Sequence, residues 1–205
     1  MMIFSKLSNS PSQNASNLLK LRQKMALYPR LNLDEQSQIH LKLMNLAQNN
    51  RDILMIGDLL MTVYPSLNLE QKSELYHRII SLSNHFDFHL RQHSLILMTS
   101  LIKNEQLTPA QQREANEKII SLCGDRNIDI KYRALNFMLK FFPRLHIEGK
   151  NALYLGIQQD CQDLLDTEIR EFAKRFFNEN FEYLTREQQE SPLYSKFDNK
   201  KPNKL

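Results

Sequence analysis

The sequence predicts an all-α protein built as a solenoid of stacked helix pairs, and two repeated phrases support that prediction. One phrase reads LYPRLNLDEQ from Leu27, VYPSLNLEQK from Val63 and FFPRLHIEGK from Phe141. The other reads RIISL from Arg78 and KIISL from Lys118, and the two copies lie 40 residues apart. A repeat of this length is typical of helical pairs that bury their apolar faces only against neighbours. About four antiparallel pairs are expected.

Composition agrees with a helical protein of one or two domains. The 205 residues include 41% hydrophobic residues, seven Pro and only four Gly, which suits a sizeable core. The two cysteines, Cys123 and Cys161, are expected to be buried free thiols in a reducing compartment. No apolar run approaches the roughly 18 residues of a membrane span. The sequence predicts a cytoplasmic protein; its Asn, Gln, Lys and Leu usage hints at a bacterial source, and delivery into a host cell is left open.

The positive charge is concentrated at the two ends of the chain. Residues 1–30 carry five Lys or Arg and no acid, and residues 191–205 carry four Lys and one Asp. The net charge is only +4, so the body between these ends is mildly acidic. Nucleic-acid binders usually place Lys and Arg along the contact groove, so this distribution disfavours that role for the body.

Each predicted pair consists of a first helix and a second helix, and an opening helix precedes the first pair. Residues 17–28 have an amphipathic pattern that ends at Pro29, which predicts a capping helix. The later first helices are expected to begin, with N-terminal acids or a first-turn proline, at about Asp34, Glu70, Pro109 and Gly149.

Three of the four second helices share a four-part pattern. An N-capping residue precedes an apolar anchor by three positions, then come a base and, three residues later, a small residue. The predicted caps are Asp52, Asp87, Asn127 and Asp166. The anchors are Met55, Leu90, Ile130 and Ile169. The next residues are Ile56, Arg91, Lys131 and Arg170, and the small positions are Leu59, Ser94, Ala134 and Ala173.

This Asp, apolar, Arg, small pattern over roughly residues 31–184 resembles the HEAT and armadillo group of repeat proteins. The resemblance implies a right-handed α-solenoid whose second helices line the concave face. It also implies a ladder between neighbouring units, here formed by Asp87, Arg91, Lys131, Asp166 and Arg170. Ile56 and Asn127 depart from the ladder pattern. The expected organisation is a flexible N-terminus at 1–16, one repeat domain at 17–190 and a basic flexible tail at 191–205.

Three residue sets allow a functional or a structural interpretation. The aligned Arg91, Lys131 and Arg170 fit an anion site or the inter-repeat ladder, and the ladder explains them adequately. The phenylalanines fit a base-stacking platform or, by their three- and four-residue spacing, a buried helical stripe; they are Phe137, Phe141, Phe142, Phe172, Phe176, Phe177 and Phe181. His85, His89 and His93 fit a metal site near Asp87, or turn and surface histidines.

Enzymatic motifs are not found in the sequence. It contains no GxGxxG, GxxxxGK[ST], GxSxG or CxxC, so no catalytic residue, cofactor or metal ligand is predicted. The expected activity is therefore non-enzymatic, with a metalloenzyme using His85, His89 and His93 as the remote alternative.

The remaining class of function is recognition of another molecule by a surface of the protein. If the anchors point inward, positions near six residues later emerge on the free side of the second helices. The candidate protein-binding surface comprises Met61, Gln92, Ile96, Thr99, Tyr132, Asn136, Lys140, Glu171 and Arg175. Mixed apolar, aromatic and Arg composition is expected of a protein-binding patch. The sequence therefore predicts a scaffold or adaptor that binds another protein or peptide. The alternative is that the basic termini clamp nucleic acid or an anionic membrane.

Overall fold

A computed structural model describes residues 11–160 and 167–191, and all regular structure in these residues is helical. The α-helices are α1 Pro11–Ala26, α2 Leu33–Ala47, α3 Asn50–Val63, α4 Leu69–Leu82, α5 Phe88–Lys103, α6 Pro109–Leu122, α7 Ile128–Phe141, α8 Ile147–Asp160, α9 Thr167–Asn180 and the single turn α10 Arg186–Gln189. The all-α prediction is confirmed for this part of the chain. The chain divides within α4 into two compact units, Met1–Arg78 and Ile79–Leu205.

The repeated phrase folds into a short 3-10 turn that separates one helix pair from the next. These turns span Tyr28–Arg30, Tyr64–Ser66, Phe142–Arg144 and Phe181–Tyr183. In the first three, a buried aromatic residue opens the turn and proline follows it. Proline fixes φ near the value that a helical turn needs and has no N–H to leave unsatisfied. The phrase is therefore a packing and turn signal.

The first helices begin at reciprocal caps. In α2 the Asn32 side chain accepts from the Glu35 N–H while Glu35 accepts from the Asn32 N–H, and Thr108 and Gln111 make the same exchange before α6. Each exchange satisfies two backbone donors that the helix start would otherwise leave open. The first helices start at Leu33, Leu69, Pro109 and Ile147, within two residues of the predicted positions.

A further copy of the phrase lies at the end of the described chain and was missed in the sequence. NFEYLTREQQ, from Asn180, repeats the turn, the leucine and the cap, with Thr185 and Gln188 making the same reciprocal bonds. The side chain of Gln189 donates to the carbonyls of Phe181 and Leu184 at 2.8 and 3.2 Å. The copy lacks proline, which is why the YP and FP pattern does not reveal it.

The core of the unit Met1–Arg78 combines aliphatic side chains with the fully buried Tyr64 and Tyr76. Helix α2 packs along α3, and Leu43, Ile53, Leu60 and Leu75 are fully buried between the helices of this unit. The Gln36 amide donates to the carbonyls of Tyr28 and Leu31, the same contact that Gln189 makes in its own turn. The tertiary packing of this unit follows the repeat pattern.

The unit Ile79–Leu205 has a core rich in phenylalanine. Consecutive helices pack from α5 to α7, and next-but-one helices also touch, since α5 contacts α7 and α6 contacts α8. The rings of Phe142 and Phe176 meet edge to face at 4.8 Å between centroids, and those of Phe176 and Phe177 at 5.4 Å. Five members of the predicted phenylalanine stripe are buried, which confirms core packing for Phe137, Phe142, Phe172, Phe176 and Phe177.

Three sequence predictions about the start of the chain and the first pair are corrected. Helix α1 begins at Pro11 rather than Asn17 and ends at Ala26, before the turn that contains Pro29. The cap of α3 is Asn49, not Asp52, and the predicted inward anchor Met55 is 38% exposed. An asparagine three residues earlier was available as a cap, so the local pattern alone did not fix the register.

The predicted caps of α5 and α7 are confirmed. Asp87 accepts from the His89 N–H, and Asn127 accepts from the N–H groups of Asp129 and Ile130. Their anchors Leu90 and Ile130 are buried, as is Ile169. Cys123 is a buried free thiol. Cys161, Asp166 and the terminal segments 1–10 and 192–205 lie outside the described residues.

Candidate protein-binding surface

The second helices of the unit Ile79–Leu205 lie side by side. Helix α5 packs against α7, where the Lys103 ammonium lies 5.7 Å from the centroid of the Phe137 ring. Helix α9 joins α7 through the buried Asn180 side chain, which donates to the Leu139 carbonyl at 3.5 Å. These contacts place the outer faces of α5, α7 and α9 next to one another.

Equivalent positions on the three helices form an exposed row, and the three side chains in this row differ in chemistry. Ile96 of α5 is 46% exposed, and Asn136 of α7 and Arg175 of α9 are also exposed. The structure brings the last two together, because Arg175 donates to the side-chain oxygen of Asn136. The Asn136 amide donates in turn to the Tyr132 carbonyl at 2.8 Å, and the Arg175 guanidinium lies 5.7 Å from the Phe172 ring centroid. The polar half of the row is therefore held in place.

The remaining predicted surface residues flank this row with different exposure. Lys140 and Glu171 are exposed, while Gln92, Thr99 and Tyr132 are half-buried. The Thr99 hydroxyl donates to the Ile96 carbonyl at 2.9 Å and so is used within α5. The side chains open to a partner are thus fewer than the sequence pattern suggested.

Met61 does not belong to this row. With Asn49 as the cap of α3, the position nine residues after the cap is Asp58, and Met61 is half-buried three residues further on. Asp58 pairs with the Arg22 guanidinium of α1, with oxygen to nitrogen distances of 2.7 and 3.2 Å. Burial of the Asp58 carboxyl opposes ionisation, but the hydrogen bonds and charge of Arg22 prevail and lower its pKa.

One residue of the expected ladder, Arg91, pairs with an acidic residue between α6 and α7. Arg91 forms a two-pronged ion pair with Asp125, at 2.7 and 2.9 Å, and donates to the carbonyls of His85 and Phe86. The hydrogen bond from Arg91 lowers the pKa of Asp125, against the opposing effect of burial. The acidic partner is thus Asp125, two residues before the next cap, where the resemblance implied the cap position itself.

Two of the three histidines make local contacts. His85 accepts from the Asp87 N–H at 3.0 Å, and the exposed His89 ring lies against Phe88 at 3.9 Å between centroids. Among the residues that the structure describes, no group of three His, Cys, Asp or Glu side chains could hold a metal ion. His85, His89 and His93 therefore give no geometric support to metal-dependent catalysis.

An exposed aromatic pair at the start of α5 was missed in the sequence. Phe86 is 91% exposed and Phe88 is 41% exposed, on either side of the cap Asp87. The sequence contained a signal for this pair, because the equivalent residues around the cap Asn127 are Arg126 and Ile128, and neither is aromatic. An exposed aromatic residue is a common anchor in protein interfaces.

No family model, curated protein or solved structure matches this chain. In the described residues, no helix combines the length and apolar character needed to span a membrane. The alternative of a nucleic-acid or membrane clamp was expected of residues 1–30 and of the basic tail. Lys6 and residues 192–205 lie outside the described residues. Of the described bases, Lys20, Lys24 and Arg30 are exposed, and Arg22 is paired with Asp58.

Proposed function

We propose that this protein is a non-enzymatic scaffold or adaptor that binds another protein or a peptide through the outer face of α5, α7 and α9. The proposal includes a HEAT-like stack of helix pairs with this face on its concave side. The contact of next-but-one helices in the unit Ile79–Leu205 supports such stacking. A right-handed stack is what the resemblance to HEAT repeats implies.

The observation that carries the proposal is the exposed row of Ile96, Asn136 and Arg175. An apolar side chain stands at one end and a guanidinium at the other, and the Arg175 to Asn136 hydrogen bond positions the guanidinium before any partner arrives. A positioned side chain loses less conformational freedom on binding, so it contributes more to affinity. Apolar groups and Arg are enriched in protein interfaces.

The test compares two substitutions of the same type at isoleucines of similar exposure. Ile96→Asp places a charge in the row, whereas Ile147→Asp places it at the start of α8, where Ile147 is 52% exposed. Tagged full-length variants are used for affinity recovery from the native lysate, with and without nuclease, followed by quantitative mass spectrometry. We expect protein partners that resist nuclease, that Ile96→Asp depletes by about tenfold and that Ile147→Asp retains.

Two results would overturn the proposal. Partners that disappear after nuclease treatment would assign the protein to nucleic-acid binding. Equal retention by both variants and by Arg175→Glu would show that the row takes no part in binding.

A further inference from the structure

Helix α1 occupies the place of a second helix in the repeat. The turn at Tyr28 follows it, as the turns at Tyr64 and Phe142 follow α3 and α7. Each of those second helices is preceded by a first helix that packs along it, α2 on α3 and α6 on α7. Helix α1 begins at Pro11, the first described residue. Among the described residues, no first helix packs along α1 as α2 packs along α3.

The other pairs show where such a partner lies. In the unit Met1–Arg78, the end of α2 reaches α4: Arg78 donates to the Ala47 carbonyl at 3.2 Å, and Gln48 donates to Glu74 at 2.5 Å. In the unit Ile79–Leu205, α6 contacts α8, and a Cβ added to Gly149 would lie 3.6 Å from Cδ1 of Ile120. A first helix thus covers the groove between its own second helix and the next first helix.

The equivalent groove between α1 and α2 is open. Its volume is ≈ 530 Å³. Leu21 and Ile39 form a buried apolar floor, and Leu27, 52% exposed, and Leu31 continue it toward the turn. Val63, the α3 residue that corresponds to Leu27 directly before the turn, is fully buried.

The rim of the groove is basic. Lys20 and Lys24 of α1 and Lys42 of α2 line it, with Glu35 as the acid. All three lysines are exposed, and no ion pair in the described part of the chain engages them. Lysine stems can lie along an apolar partner while their ammonium groups stay at the edge. The charge therefore selects a partner with acidic flanks.

We propose that the groove between α1 and α2 binds an acidic amphipathic helix of a partner protein. The apolar stripe of that helix rests on Leu21, Leu27 and Ile39, and its Asp or Glu side chains reach Lys20, Lys24 and Lys42. From Lys20 to Leu27 the groove wall spans about 10 Å of helix, enough for two turns of a bound helix. This site is separate from the face of α5, α7 and α9.

The test uses the full chain and three labelled synthetic peptides of equal length. The first is an amphipathic helix with leucines at helical spacing and glutamates on its flanks, the second has lysine in place of each glutamate, and the third is a scramble of the first. Fluorescence anisotropy measures their dissociation constants. We expect binding of the acidic helix alone, weakened by added salt.

Matched charge reversals locate the site. Lys20→Glu with Lys24→Glu should weaken binding of the acidic helix by about tenfold or more, equivalent to about 1.4 kcal/mol. The control, Arg113→Glu with Arg133→Glu, changes the net charge equally at exposed positions of α6 and α7 and should leave binding unchanged. Circular dichroism melting confirms that each variant is folded.

Leu27→Asp tests the apolar floor independently of the rim and should weaken binding as strongly. Failure of the acidic helix to bind, equal binding of the basic or scrambled peptide, or equal loss in both double variants would overturn the proposal. So would binding to anionic phospholipid vesicles that depends on Lys20 and Lys24 while the peptide does not bind, because the basic rim would then serve a membrane.

Discussion

Removing Arg91 should destabilise the protein far more than breaking a surface ion pair. The Arg91 and Asp125 side chains are only 16% and 5% exposed, so their pairing occurs largely away from water. Arg91→Ala would leave a buried carboxylate without its guanidinium partner and would remove the hydrogen bonds from Arg91 to the carbonyls of His85 and Phe86. Breaking one side of a buried pair typically costs about 3–5 kcal/mol. We expect a loss in that range in the free energy of unfolding, measured by urea denaturation at neutral pH.

The chain offers a matched control in the pair of Arg22 and Asp58. It has the same two-pronged geometry, but its side chains are 43% and 60% exposed, so Arg22→Ala should cost about 1 kcal/mol or less. The double variant Arg91→Met with Asp125→Leu should recover much of the loss, because no buried charge remains. Equal, small losses for Arg91→Ala and Arg22→Ala would refute the reasoning.

The same pair has a defined pH dependence. The pKa of Asp125 is lowered in the folded protein, chiefly by the hydrogen bond from Arg91. Its stabilising contribution is therefore present above the unfolded-state pKa of about 3.9 and is lost as the pH falls through the lower folded value. The stability difference between the native protein and Asp125→Asn should shrink over that acidic range. A difference that stays constant down to the lowest pH would contradict the assigned pairing.

Three further predictions concern the core, a strained turn and a buried histidine. Phe176→Ala should cost about 3–5 kcal/mol in urea unfolding, whereas Phe181→Ala, at a ring 39% exposed, should cost much less. Glu105→Gly should raise stability by about 0.5–1 kcal/mol, because Glu105 has φ of 55°; Glu105→Ala should bring no gain. Burial lowers the pKa of His40, which is hydrogen bonded to Tyr28, so stability should fall as the pH drops below about 6.5 and the unfolded chain takes up the proton first, and His40→Gln should flatten that fall.

Local signals in the sequence were enough to predict the helices. The cap Thr108 with Pro109 placed the start of α6 correctly, because cap chemistry and proline act within one turn. Asp87 and Asn127 were read correctly for the same reason. The end of α5 differs from the ends of α3 and α7, which lead into 3-10 turns. After α5 the Gln106 N–H donates to the Leu101 carbonyl, and Glu105 adopts the left-handed backbone conformation. That geometry has no distinctive residue type here, so the sequence did not reveal it.

The register of the first pair could not be settled locally. Asn49 and Asp52 are both good caps, and only burial decides between them: Ile53 and Ile56 face the core, whereas Met55 does not. The error moved one predicted surface residue from Asp58 to Met61. Such a shift affects the predicted surface more than the predicted fold. Three residues are nearly one helical turn, so the buried face of the helix stays about the same, but a different side chain becomes the exposed one.

The partner of Arg91 shows why the side-chain pairings could not be predicted from the sequence alone. Spacing indicated an inter-repeat contact, and one exists, but the carboxylate comes from Asp125 in the turn. In the same way, Asn136 and Arg175 are 39 residues apart and only tertiary packing brings their side chains into a hydrogen bond. The sequence predicted which helices would present a surface, while the pairings that orient its side chains depend on how α7 and α9 pack.

The residues at equivalent positions of the repeat distinguish positions used for packing from positions available for recognition. At the position seven residues after the cap, α3, α5 and α7 carry Ile56, Ser94 and Ala134, all buried. Two positions further on, Asp58 and Ile96 are both exposed. Because exposed positions are less constrained by packing, the change from acid to isoleucine, asparagine and arginine along the repeat is where we expect specificity for a partner to lie. A variant series at Ile96 should therefore alter partner choice while leaving the unfolding midpoint nearly unchanged, which no buried position of α5 can do.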